Sequence, residues 1–247
     1  MAQQRGKVTV AGIGPGNLDM MAPAVLAAIE GADVVMGYKT YTDLIQPLLS
    51  EKQVIDSGMR KEIERCQQAV ALAEEGKIVV LVSSGDPGIY GMAGILLEIK
   101  EERNSDIDTE VLPGITAVSA AAASLGAPLM HDFVVISLSD LLTDWEVIKK
   151  RVRHASEGDF VISLYNPKSQ GRISQIEEAV EIISQFRGPD TPVGIVKNAK
   201  RAGEQVTIST LSQMLKEEID MTTVVIIGNS NTYAVNGKMI TPRGYRI

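Results

Sequence analysis

The chain has 247 residues, 45% hydrophobic and 22% charged, with a formal net charge of −7. That balance suits a globular protein with a good core and excludes a disordered one, and the acidic excess disfavours a nucleic-acid backbone as main partner, since such binders carry a basic excess or stripe. One cysteine, Cys66, rules out an intramolecular disulfide, and two histidines without metal-ligand spacing, with no basic-then-apolar leader, lead us to expect a cytoplasmic protein holding no metal of its own.

In chain order, strand-like runs at 7–13, 32–36, 53–56, 78–83 and 109–112 alternate with helix-like stretches at 21–30, 60–74 and 89–100. This alternation predicts a mainly parallel sheet with helices on its faces. Residues 111–130 carry no formal charge and are long enough to resemble a membrane span. They contain Pro113, Gly114, Gly126 and Pro128 among Ala, Ser and Thr, so a small-residue helix packed close to a neighbour explains them better. After a break at Gly126-Ala127-Pro128, strands are predicted at 133–137, 160–165, 193–197, 205–208 and 223–227, and helices at 145–155, 172–186 and 211–218. The fold class is therefore α/β, with two domains, 1–126 and 127–247.

The first strand runs into GIGPGNL, Gly12 to Leu18, where a dinucleotide fold would grip pyrophosphate. The fingerprint needs a third glycine and an acid about 20 residues on. Asn17 takes the glycine's place, Gly37-Tyr38-Lys39 follows the second strand where the acid would stand, and Pro15 removes one N–H donor. A plain tight turn, a dinucleotide site and another cleft ligand all stay open on these residues.

Ligands of open parallel sheets collect at the carboxyl ends of strands. The segments there are rich in turn residues: Gly37 to Tyr41, Ser83 to Gly88, Pro113 to Thr116, Tyr165 to Ser169, Lys197 to Arg201 and Gly228 to Asn231. Lys39, Lys168, Arg172, Lys197, Lys200 and Arg201 would place positive charge on that edge, which suits a ligand with several carboxylates, although turns use glycine and exposed ends use lysine in any protein. There is no Gly-x-Ser-x-Gly elbow, no Walker loop and no Cys–His pairing, so hydrolysis by a Ser or Cys nucleophile loses its support. His131-Asp132 could orient a base, but a lone His beside a turn is more often structural, and His154 sits on a solvated helix face.

Taken together, GIGPGNLDMMAPAVLAAIEGADVVMGYKTY, SSGDPGIYG, LPGITAVSAAAASLGAPL, SLSDLLTDWEVI, SLYNPKSQGR and TPRGY resemble the S-adenosylmethionine-dependent tetrapyrrole methylases over essentially the whole chain. The stretches GYKTY, SLSDLL, YNPKS and TPRGY point within that family to methylation at carbon 17 of a precorrin-3B-type tetrapyrrole, with ring contraction, in cobalamin biosynthesis. The resemblance implies a two-domain fold with S-adenosylmethionine folded between the domains, a homodimer, and no membrane or nucleic-acid partner. It assigns Pro15, Ser84, Gly85, Asp86, Ile89, Thr116 and Ala117 to the cofactor from the first domain, and Tyr165 and Ala199 from the second. Lys168, Arg172, Lys197, Lys200 and Arg201 are expected, from charge, to meet the acetate and propionate groups of the substrate.

In-line methyl transfer needs an electron-rich carbon held close to the methyl with water kept out, and little acid–base machinery, which agrees with the scarcity of histidine. Ring contraction needs a proton moved as well, for which Asp140, His131, Lys39 and Asp86 are the candidates. Asp144 and Asp132 stand where the family pattern has proline. Methylation of another precorrin position, of diphthamide precursors or of ribosomal RNA is the alternative within the family, and a nucleotide-binding module the alternative outside it.

Overall fold

The computed structural model describes residues 6–58 and 60–246. The chain divides into two compact units, one ending at Ala117 and one beginning at Val118.

The first unit is built on β1 (Lys7–Gly12), β2 (Val34–Tyr38), β3 (Gln53–Ser57), β4 (Ile78–Ser83) and β5 (Asp108–Leu112), with α1 (Pro23–Glu30), α2 (Lys39–Leu44), α3 (Glu62–Glu74) and α4 (Ala93–Glu102) between them. The sheet order is β3-β2-β4-β1-β5 and every pairing is parallel, as the sequence led us to expect. Side chains of a strand alternate faces, so Val8, Val10, Val34, Met36, Val79 and Leu81 face α3 and α4. Their neighbours Ala11, Val35, Val80 and Val82 pack on the α1 face with Val25 and Ile29. Burial on both faces is why these strands read as unbroken apolar runs.

Helix boundaries follow local chemistry. Pro23 opens α1 at a position whose N–H has no helical partner anyway, and Glu62 and Glu64 sit in the first turn of α3, where the helix dipole favours anions. Strand β1 feeds α1 and then β2 on one side, whereas β4 feeds α4 and then β5 on the other. The gap between the carboxyl ends of β1 and β4 is therefore the topological switch point of the sheet, the place where such folds hold ligands.

The second unit carries β7 (Phe133–Ser137), β8 (Val161–Tyr165), β9 (Pro192–Lys197), β10 (Gln205–Thr210) and β11 (Thr223–Ile227) in the order β10-β9-β11-β8-β7. Helices α6 (Trp145–Glu157) and α7 (Ser174–Ile183) cover one face, burying Ile148, Val152, Ile176 and Ile183 with Ile162, Leu164, Val193 and Ile195. The uncharged stretch supplies α5 (Ala117–Leu125), and Gly194 lies so close beneath it that a Cβ there would meet Leu125 Cδ1 at 2.3 Å. A small sheet of β12 (Tyr233–Val235), β13 (Lys238–Ile240) and β6 (Gly126–Ala127) follows.

Three expectations differ from the structure. The second sheet is mixed: only β7–β8 pair in parallel, and β11 runs antiparallel to both β8 and β9. Residues 211–218 form a single 3-10 turn at Met214–Lys216 and not a helix, because the Leu211 and Ser212 amides donate to Thr191 and Pro189 and tie the segment to the loop that leads into β9. The division between the units falls after Ala117, at the first residue of α5, and not at Gly126, since α5 packs on the second sheet through Leu125 over Gly194.

Cys66 is fully buried on α3, and that burial pushes its thiol up to about 12. A thiol held protonated is a poor nucleophile. At pH 8 the native protein should therefore resist Ellman's reagent and react at one site per chain only in denaturant; rapid labelling of the native state would refute this packing.

Candidate functional site

At the switch point three loops meet backbone to backbone. Gly14 N–H donates to Gly85 O (3.1 Å) and Gly85 N–H donates back to Gly14 O (2.8 Å), joining the loops after β1 and β4. Both glycines have positive φ, +61° and +65°, which other L residues adopt only at a cost. The loop after β5 closes from the other side. A Cβ on Gly114 would lie 2.2 Å from Gly85 O and 2.5 Å from Gly12 O, so only glycine allows the approach.

Asp86 bolts this lattice together. Its Oδ1 accepts from Gly88 N–H (2.8 Å) within its own loop, and its Oδ2 accepts from Gly114 N–H (3.1 Å) on the neighbouring one. Pro15, Ser84, Gly85, Asp86 and Thr116, scattered in sequence, are thus gathered at one edge, with Ile89 and Ile115 each 40% exposed beside them. The amides of Gly14, Gly85 and Gly114 are engaged in the lattice, and the Ile13 amide donates to Ser83 O. With these amides engaged and Pro15 lacking one, the GIGPGNL turn has fewer backbone donors to offer a pyrophosphate than a dinucleotide loop.

Lys39 lies at the same edge of the first sheet, at the start of α2. Its Nζ is 2.8 Å from Asp43 Oδ1, and the hydrogen bond and charge of that carboxylate raise the Lys39 pKa above its ordinary value. It is a persistent cation and a poor base.

In the second unit β7, β8 and β9 run the same way, so the segments after Ser137, Tyr165 and Lys197 share an edge. The loops after β8 and β9 each turn at once on an asparagine in the left-handed region, Asn166 (φ +49°) and Asn198 (φ +51°). Asn166 Nδ2 donates to Ser137 Oγ (2.9 Å), which joins the β7 and β8 loops. Arg172, 93% buried by its 7% exposure, donates from Nη2 to Asn166 O (2.8 Å) and lies against Met221 Sδ. It pins the loop that carries Lys168. Tyr165 Oη accepts the Val118 N–H at the start of α5 (2.6 Å), and Ala199 sits half-buried on the β9 loop.

One expectation about this edge is corrected. Gly228 to Asn231 follow β11, which runs the other way, so they lie at the opposite edge; there Ser230 donates from N–H and Oγ to Asp159, itself paired with the buried Arg187. His131 precedes β7 whereas Asp140 follows it, so the strand separates them by about 16 Å or more, at about 3.3 Å per residue. The antiparallel course of β11 and the single direction of β7 decide both.

Lys197 is not an open cation. It pairs with Glu218 and with Asp220 Oδ2 (3.0 Å), and these hydrogen bonds raise its pKa. Sequence reading missed its two partners, and it also missed Glu204. Glu204 Oε1 accepts from Ser124 Oγ (2.5 Å) and from Lys200 N–H (2.8 Å), holding the Ala199–Arg201 turn to α5. Burial alone would raise the Glu204 carboxyl, but these donors and the Lys200 charge bring it below its ordinary value. No sequence spacing announces either partnership. Among the cationic candidates Lys168 makes no ion pair among the described residues, while Asp140 Oδ2 accepts from Gln175 Nε2 (2.9 Å).

Among the described residues no group of three His, Cys, Asp or Glu side chains could hold a metal, and no helix is long and apolar enough to cross a membrane. A groove of about 420 Å³ lies elsewhere, between α6 and α7. Much of its charged lining is paired internally, Lys149 with Glu146 (2.7 Å) and Glu178 (3.5 Å), Arg153 with Gln185 (2.7 Å), and it touches none of the loops above.

A glycine-built switch point on a parallel sheet, followed by a second mixed unit, is the tetrapyrrole methylase fold. The family model described as tetrapyrrole (corrin/porphyrin) methylases matches residues 7–215, and the chain belongs to this family of methyltransferases. It is 51% identical over 240 residues to a probable cobalt-factor III C(17)-methyltransferase of Salmonella typhimurium, covering 97% of this chain and 100% of that one. It is 38% identical over 248 residues to a precorrin-3B C(17)-methyltransferase of a Sinorhizobium species, covering 97% of each. The crystal structure of the methyltransferase CobJ matches with a TM-score of 0.91 at 39% identity, over 96% of this chain and 100% of that one.

Two substitutions test this geometry. Gly114→Ala forces three backbones apart and should cost about 1–3 kcal/mol of unfolding free energy, the usual price of overpacking; an unchanged denaturation midpoint would refute the lattice. For Asp220, burial would raise the carboxyl, but hydrogen bonds from Lys197, Thr222 and Thr223 outweigh it and hold the pKa at about 2, below the ordinary 3.8. The folded form is favoured while the group is ionised, so its contribution is present above 3.8 and lost as pH falls toward about 2. The side chain is 41% exposed, which limits the effect to under about 1 kcal/mol. D220N should melt slightly below the parent at pH 6, and the gap should close through that acid window; a gap that does not vary with pH would contradict the assignment.

Proposed function

We propose that the chain transfers the methyl group of S-adenosylmethionine to carbon 17 of a precorrin-3B-type macrocycle in cobalamin biosynthesis, with cobalt-factor III as the substrate and ring contraction accompanying transfer. The observation that carries this reading is the full-length match to relatives named for carbon 17, and 51% identity to the one named for the cobalt substrate against 38% to the one named for precorrin-3B favours the cobalt form.

The residues at the switch point fit the cofactor. Backbone amides are engaged with one another, a carboxylate stands where a phosphate would need a cation, and Ile89 and Ile115 offer apolar surface. That set suits an uncharged nucleoside and a cationic sulfonium and does not suit a pyrophosphate. Bound there, the cofactor supplies an electrophilic methyl group.

The chain's own work is to hold and to orient. Asp86 and Gly114 fix the loop that carries Ser84 and Gly85, and Glu204 fixes the turn that carries Ala199. Lys168 is the cation left for a substrate carboxylate, and Lys200 and Arg201 flank the same edge. For the proton of ring contraction the arrangement favours Asp140, on the carboxyl edge of the second sheet, over His131 at the far end of β7 and over Lys39, whose proton is held by Asp43. We further propose a homodimer acting in the cytoplasm, symmetric dimers being the commonest soluble assemblies.

Anaerobic incubation with methyl-labelled S-adenosylmethionine, cobalt-factor III and precorrin-3B in parallel, with products weighed by mass spectrometry, tests the proposal. One labelled methyl on cobalt-factor III, faster than on precorrin-3B, is the expected result. Transfer to neither macrocycle, despite binding of S-adenosylhomocysteine, would overturn the substrate assignment.

A further inference from the structure

The loop between β7 and α6 bares two adjacent leucines to water, Leu141 at 67% and Leu142 at 97% exposure. Neither is on a frayed segment. Leu138, with no exposure, anchors the loop by donating its N–H to Tyr165 O (2.9 Å), and Ser139 N–H donates to Ser137 Oγ (3.2 Å). Asp140 is tied to Gln175 of α7, and Asp144 caps α6 by accepting the Glu146 N–H (2.8 Å). Ile173, 51% exposed, stands two residues before Gln175, and Met221, 43% exposed, lies against Arg172. A fixed loop thus presents apolar surface, and Ile173 and Met221 are exposed on segments bonded to it or to the loop it joins, in a protein whose other large side chains are mostly inside.

The charges around it say what covers it. The Lys168 loop is joined to this one through Asn166 and Ser137, and Lys168 meets no carboxylate among the described residues, whereas Arg172 is buried and spent on Asn166 O. Apolar surface with an unpaired lysine on the adjoining loop calls for an occupant with an apolar plane and an anionic rim. A tetrapyrrole with acetate and propionate side chains has that chemistry. We propose that Leu141 and Leu142 form a platform for one face of the macrocycle and set how tightly it is held. This inference rests on the reaction proposed above.

The full-length chain carrying Leu141→Ser and Leu142→Ser, singly and together, tests it. Equilibrium binding of cobalt-factor III is followed by its absorbance under anaerobic conditions, beside KM and kcat, S-adenosylhomocysteine affinity, melting temperature and sedimentation. Burying a leucine is worth enough that the double variant should bind cobalt-factor III about tenfold or more weakly, with KM raised to match. Cofactor affinity, melting temperature and association state should not move, since both side chains are exposed. Unchanged macrocycle affinity would overturn the platform, and so would a loss of affinity that tracks dissociation of a dimer, because the leucines would then face a second copy of the chain. If the parent binds cobalt-factor III but transfers no methyl, the reaction fails while the platform is still judged by the binding ratio; if the parent does not bind it, both fall.

Discussion

Two backbone hydrogen bonds between Gly14 and Gly85 hold the carboxyl ends of β1 and β4 together, and the site of the first unit depends on them. Parallel strands that send their helices to opposite sides leave a gap where the chain reverses direction. Elsewhere such a gap is lined by free amides. In this chain the amides face one another, and Gly114 presses its own backbone against the pair closely enough to exclude any Cβ. What is left at the surface is a shaped edge with fewer backbone donors, which suits a ligand that presents no phosphate.

The second unit reaches the same end by another route. Its loops are set by side chains: Asn166 on Ser137, Arg172 on Asn166, Glu204 on Ser124, Asp220 on Lys197. A mixed sheet brings only β7, β8 and β9 to a common edge, and each of the three loops there is held by at least one such bond. The scarcity of histidine is consistent with this plan. Methyl transfer asks for placement more than for proton traffic, and most of the polar residues at these edges are occupied in placing the backbone.

Cations counted from sequence therefore change meaning in the fold. Lys39, Lys197 and Arg172 are all at strand ends, yet the first two are paired with carboxylates and the third is buried against a carbonyl oxygen and a thioether. Asp144 is an N-cap whose carboxylate accepts a first-turn amide, so its charge serves the start of α6.

The sequence by itself determined the α/β class, the strands of the two five-stranded sheets and the family, but not the small third sheet, because apolar runs buried on both faces and glycine-rich strand ends are local signals. It also weakened the dinucleotide reading, through Asn17 and Pro15. Only the tertiary structure decided which loops share an edge, since the direction of β11 depends on partners tens of residues away and leaves no mark on its own side chains. The same holds for the 211–218 segment, where two long-range amide bonds override a helical pattern, and for α5, whose allegiance is set by the glycine beneath it. Pairings such as Lys197 with Asp220 and Ser124 with Glu204 join residues 23 and 80 apart, and a partner that distant is fixed by strand register and not by spacing in the chain.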